Sequence, residues 1–167
     1  MIIAIKKINL HLVLYDLVSV TTVYLVPIVS HLTLFPFYYL EPMRVILIVS
    51  LCHFPLINSL LLAISLPGLS FLMIGHPGPL KAVLMTFELL INIGVFNILS
   101  KNLHSKFLVI CASICFSKIF YYTFKWLIIG KGLIYGPLIS TPLYWQVVMC
   151  FVLGLYGVLF WIKKDLE

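Results

Sequence analysis

Four ionisable side chains, Asp16, Glu88, Lys118 and Lys125, interrupt stretches that are otherwise almost wholly apolar. Carrying such a group to mid-bilayer costs about 2.5–3.5 kcal/mol on insertion scales, so each is expected to face protein and find a partner. Glu88 stands within KAVLMTFELLINIGVF (81–96), and Lys118 within SKIFYYTFKWLIIG (117–130). A carboxylate and an ammonium on adjacent helices can clasp each other, hold a polar solute, or do both. Lys125 follows Lys118 by seven residues, which returns it to the same helix face about 10 Å further along. Tyr121 and Tyr122 fall between the two lysines, and Asn92 shares the Glu88 stripe one turn away. Catalytic chemistry finds no support. There is no G-x-S-x-G, H-E-x-x-H or phosphate-cradling glycine loop, and the five histidines have no metal-ligand spacing. No enzyme activity, cofactor or metal is expected. Cys52, Cys111, Cys115 and Cys150 form no C-x-x-C pair and read as packing residues.

The elements that must position these residues are membrane helices. Of 167 residues, 63% are hydrophobic and only 10% charged, and the mean hydropathy is +1.17. A soluble domain keeps roughly a quarter of its residues charged. The expected fold is therefore all-α: a polytopic integral membrane protein, one compact bundle of six transmembrane helices, in the inner or plasma membrane. The six apolar segments are 10–29, 43–58, 60–75, 80–99, 107–129 and 142–162. The second and third are short and meet at HFPLINS (53–59), as one broken helix or a tight hairpin. Lys6, Lys7, Lys101, Lys106, Lys163 and Lys164 gather on one side of such a bundle, against Arg44, Lys81 and Lys131 on the other. That bias places both termini in the cytoplasm. The same placement explains the net charge of +6 without nucleic acid as a partner.

Counting helical rise, Glu88 lies roughly 12 Å below the outer end of its segment, and Lys118 near the middle of the next. The two are at similar depth on consecutive antiparallel helices and are expected to pair. Lys125, Asn92 and the tyrosines exceed what a structural clasp requires. Together they read as the wall of a polar cavity open to the outside, with Asp16 an interface residue elsewhere. Trp145 and Gln146, at the outer end of the last segment in TPLYWQVV, could close that cavity. The loop SHLTLFPFYYLEP (30–42) reads either as an interfacial aromatic belt or as a cap over the pocket.

In this order the features resemble the substrate-binding S components of energy-coupling factor transporters. The pieces that match are Pro42-Met43, then Pro67 with Ser70 and Phe71, the turn at Gly75 and Pro77, the acidic Glu88, and the basic-aromatic 117–130 helix. The resemblance implies a vitamin-like solute bound near the outer face, and partners that carry out transport: a membrane coupling subunit and a pair of cytoplasmic ATPases. It implies substrate-binding roles for Glu88, Asn92, Lys118, Tyr121, Tyr122, Lys125, Trp126, Trp145 and Gln146. A lysine among aromatics would suit an anionic heteroaromatic compound. The two-alanine small-x-x-x-small signature by which such proteins dock on the coupling subunit is absent from the first segment, where Ser19 to Val23 is the nearest substitute. The alternative is a scaffold subunit of a membrane assembly, of the rod-shape type, using the same polar residues to pack helices.

Overall fold

The computed structural model describes residues 10–75 and 77–161, and among these the chain is all-helical. The helices are α1 (Leu10–Thr33), α2 (Pro42–His53), α3 (Leu56–Ile74), α4 (Pro79–Asn102), α5 (Lys106–Gly130) and α6 (Leu143–Phe160). Lys6, Lys7, Lys163, Lys164 and the end of the sixth expected segment lie outside the described residues. Local chemistry sets the boundaries. Pro42 and Pro79 open α2 and α4, where a missing N–H costs nothing. Phe54, extended ahead of Pro55, ends α2. Gly75 closes α3 in the left-handed conformation (φ 72°), its N–H returning to Phe71 O.

Five helices, α1 and α3 to α6, are long and apolar enough to cross a membrane, and their outward faces are lined by exposed Leu, Val, Ile and Phe. The chain is a multi-pass membrane protein. The expectation of six spanning helices is corrected at α2. Its 12 residues rise only about 18 Å, against a hydrocarbon core of about 30 Å.

The shortfall has a cause in the preceding segment. After α1 the chain turns at Leu34 (φ 57°) and folds back into the bundle. Phe37 N–H donates to Ser30 Oγ at 3.1 Å, and the Phe35 ring meets Trp145 edge-on. A 3-10 turn, Phe37–Leu40, packs against α1, α2 and α6. By Glu41 the chain has reached the level of Glu88 and Lys118. Glu88 is nine residues beyond Pro79 along α4, a depth of about 14 Å. Helix α2 therefore starts near mid-bundle and traverses only the remaining half.

Helix α2 then doubles back on α3 as a hairpin, with Ser50 Oγ and Ser59 Oγ 2.8 Å apart. It is the most enclosed helix, in contact with α1, α3, α4 and α6. Leu47 and Ile48 are fully buried, and with Leu66, Ile93, Phe96, Val109 and Ile110 they fill the bundle below Glu41. Polar contacts tie the α2–α3 hairpin to α1 and α6. Tyr15 Oη donates to Ile46 O, and His53 Nε2 lies 2.7 Å from Tyr156 Oη. Asp16 accepts from Asn58 Nδ2 at 3.1 Å, the interface role expected of it.

Helices α4 and α5 share the most extensive contact, followed by α5 and α6. At the α5–α6 seam Gly154 permits close approach: a Cβ there would lie 2.7 Å from the Phe107 ring and 2.8 Å from Cys111 Sγ. Gly154→Val should therefore destabilise the bundle by about 1–3 kcal/mol through overpacking. Val158→Ile on the exposed side of α6 should leave thermal unfolding in detergent unchanged. Equal melting temperatures for the two variants would contradict this packing.

Candidate functional site

Four charged side chains meet where α2 begins. Arg44 Nη1 binds Glu41 Oε2 at 2.8 Å, and Nη2 donates to Glu88 Oε1. Lys118 Nζ lies 2.6 Å from Glu41 Oε1 and 3.4 Å from Glu88 Oε1. The signs alternate around this ring and cancel. Three members stand on helices α2, α4 and α5. Glu41 comes from the inward-folded segment, at the N-terminal end of α2, where the helix dipole also favours a carboxylate. Burial alone would raise the Glu41 carboxyl, but Arg44 and then Lys118 outweigh it and hold it below the usual carboxylate range. The Lys118 ammonium also faces the rings of Tyr121 and Tyr122, 5.7 and 5.9 Å from their centroids.

The expected Glu88–Lys118 contact is present, on helices that pack side by side, but it is the longest in the ring. The partner of Glu88 that sequence reasoning missed is Arg44, counted only among the charges on the outer side of the bundle. Lys118 leans chiefly on Glu41, which was part of the cap segment and carried no charge role. An acidic and a basic residue three apart in LEPMR, just ahead of an apolar run, is the signal that marked them.

Above the ring lies a cavity of about 940 Å³. Its walls come from the second half of α1, the inward-folded segment, the start of α2, the end of α3, the first half of α4, α5, and residues 140–141. Glu41, Arg44, Glu88 and Lys118 form one polar patch of the lining, joined by Tyr121, Tyr122, Lys81, His31, Ser140 and Thr141; most of the rest is apolar. All of these elements meet at the end of the bundle opposite the α4–α5 turn with Lys101 and Lys106.

Of the nine residues implicated by sequence, Glu88, Lys118, Tyr121 and Tyr122 line the cavity. The others do not. Lys125 is 3% exposed, and its Nζ donates to Leu138 O (2.8 Å) and Ser140 Oγ (2.7 Å). It pins the segment that covers the cavity from the side, in place of the expected solute contact. Trp126, one residue on and turned about 100° around the helix, is 64% exposed on the outer face. Asn92 is fully buried below the ring, with Nδ2 directed at Ser117 Oγ (3.3 Å) on α5. Gln146 exchanges hydrogen bonds with Tyr122 Oη and donates to Thr141 O (2.7 Å), so it supports a wall from behind. Trp145 packs on Phe35 and holds the folded-back segment.

No family model, curated protein or solved structure matches the chain. Fold and site together define a multi-pass helical membrane protein with a large open cavity floored by a neutral ring of four charges.

Removing one member of a buried ion pair leaves an uncompensated charge, whereas replacing both can be nearly neutral. Arg44→Met should therefore cost about 3–5 kcal/mol by leaving Glu41 and Glu88 to share the single charge of Lys118. The double variant Arg44→Met/Glu88→Met keeps Glu41 with Lys118 and should recover most of that loss. Thermal unfolding of wild type, both single variants and the double checks the cycle; additive losses would rule out the pairing.

Proposed function

We propose that the protein is the substrate-capture subunit of an energy-coupling factor type importer in the inner or plasma membrane. It would bind a vitamin-like micronutrient in the cavity at the extracytoplasmic face. A membrane coupling subunit and a cytoplasmic ATPase pair would drive uptake.

The observation that carries this reading is the cavity itself. About 940 Å³ is at the upper end of what small-molecule sites use, and a mostly apolar wall with a few convergent polar groups is their usual chemistry. The sequence resemblance implies a pocket formed by helices four to six under the first loop; α4, α5 and the folded-back segment line the cavity, together with α1 and α3, while α6 contributes none of the lining. Lys101 and Lys106 lie at the opposite end of the bundle, which supports an outward-facing cavity by the positive-inside tendency. Both termini would then be cytoplasmic.

One feature favours the alternative, a scaffold subunit of a membrane assembly. The charges satisfy one another, as a clasp between α2, α4 and α5 would. A clasp does not call for the open volume above it, and that volume supports capture.

Mass spectrometry of the purified protein under native conditions should reveal a bound small molecule. Thermal unfolding against a panel of water-soluble vitamins and their precursors should identify one that stabilises. At about a hundred times its Kd a ligand adds roughly 2.7 kcal/mol. Met85 lines the cavity without joining the ring, so Met85→Trp should fill space and abolish the effect while the protein stays folded. A wild type that carries no molecule and responds to none of the panel would favour the scaffold.

A further inference from the structure

We propose that the solute bears an anionic group, carboxylate or phosphate, which takes the place of Glu41 on Arg44 and Lys118. This rests on the cavity being a solute site. It adds that the empty protein already holds a stand-in for the ligand's charge, supplied by its own chain.

Glu41 differs from its three partners in how it is held. Arg44, Glu88 and Lys118 project from helices fixed by packing on both sides. Glu41 ends an irregular segment and sits in the left-handed region (φ 50°, ψ 57°), which disfavours any side chain other than glycine, and asparagine or aspartate less so. Its side chain makes no cap bond to α2. Although Oε1 is 2.6 Å from Lys118 Nζ, that buried oxygen has no well-aligned hydrogen bond. Glu41 is thus held chiefly by its charge, and a better-aligned anion can compete for the same cations.

Charge counting selects the sign of the solute. With Glu41 withdrawn, Arg44 and Lys118 face Glu88 alone, an excess of one positive charge at the cavity floor. Lys81 in the wall adds a second. A cationic solute would meet repulsion there, and a neutral one would leave the excess charge at the floor uncompensated, so neither can displace Glu41. An anion restores the balance. Arg44 Nε is buried and has no hydrogen-bond partner, leaving a donor beside the two Nη groups for a second oxygen of an incoming carboxylate or phosphate. The Tyr121 and Tyr122 rings hold the Lys118 ammonium in place through such an exchange.

The test needs no knowledge of the natural solute. Benzoate, inorganic phosphate and benzylamine are titrated into the purified wild type and two variants, Glu41→Gln and Glu41→Gly, with binding read by thermal shift and calorimetry. The glycine variant relieves the left-handed backbone as well as removing the charge, so it remains informative if the glutamine variant does not fold. Benzoate or phosphate should bind at least about tenfold more tightly to the variants than to wild type, since an internal competitor for a buried cation pair is gone. Benzylamine should gain nothing. Equal anion affinity in wild type and variants, or a gain for benzylamine as large as for benzoate, overturns the proposal. A vitamin-panel ligand that is neutral or cationic also overturns it while leaving solute capture standing. Variants that bind anions in a protein whose wild type binds no panel member would support the exchange and count against capture.

Discussion

The ring of Glu41, Arg44, Glu88 and Lys118 is the constraint on which the rest depends. Four charges inside a bundle with lipid-facing walls survive only if each is neutralised locally, because neither lipid nor the packed core offers a substitute. That requirement draws α2, α4 and α5 to one point and draws the segment after α1 inward to meet them. The half-length of α2 follows directly. A chain that must deliver Glu41 and Arg44 to mid-bundle has already used half the depth before its next helix begins. The cavity is the space left above this junction, between the folded-back segment and the upper halves of α1, α4 and α5.

Hydropathy made five helices legible, because a long apolar run in this composition has one stable outcome. The same measure misread α2. PMRVILIVSLCH is as apolar as a lipid-facing helix, yet its side chains face neighbouring helices on nearly all sides. Composition does not distinguish burial in protein from burial in lipid, and length alone gave warning. Glu88 and Lys118 were legible as partners because each sits deep in a long helix whose rise can be counted.

Arg44 and Glu41 were not: their spacing in LEPMR marks a local ion pair, but loops ordinarily run over the surface, and that spacing does not show the loop turning inward. Lys125 fails for a related reason. Its seven-residue spacing from Lys118 places it on the correct face of α5, but a helical wheel does not record what lies over that face at each height. Over Lys125 it is the segment carrying Leu138 and Ser140, contributed by the connection to α6. Trp126 shows the limit of grouping residues by proximity in sequence: one step along the helix moves it from the interior to lipid.

The brevity of α2 has an electrical consequence. A charged recess of this size takes up water, so the low-dielectric barrier is confined to the layer of Leu47, Ile48, Ile93, Phe96 and Ile110 beneath the ring. A membrane potential worth about 2.3 kcal/mol per elementary charge at 100 mV then falls mainly across the half of the bundle below the ring. Charges in the recess sit close to the potential of the solution above, and one that moved past that half would cross most of the voltage.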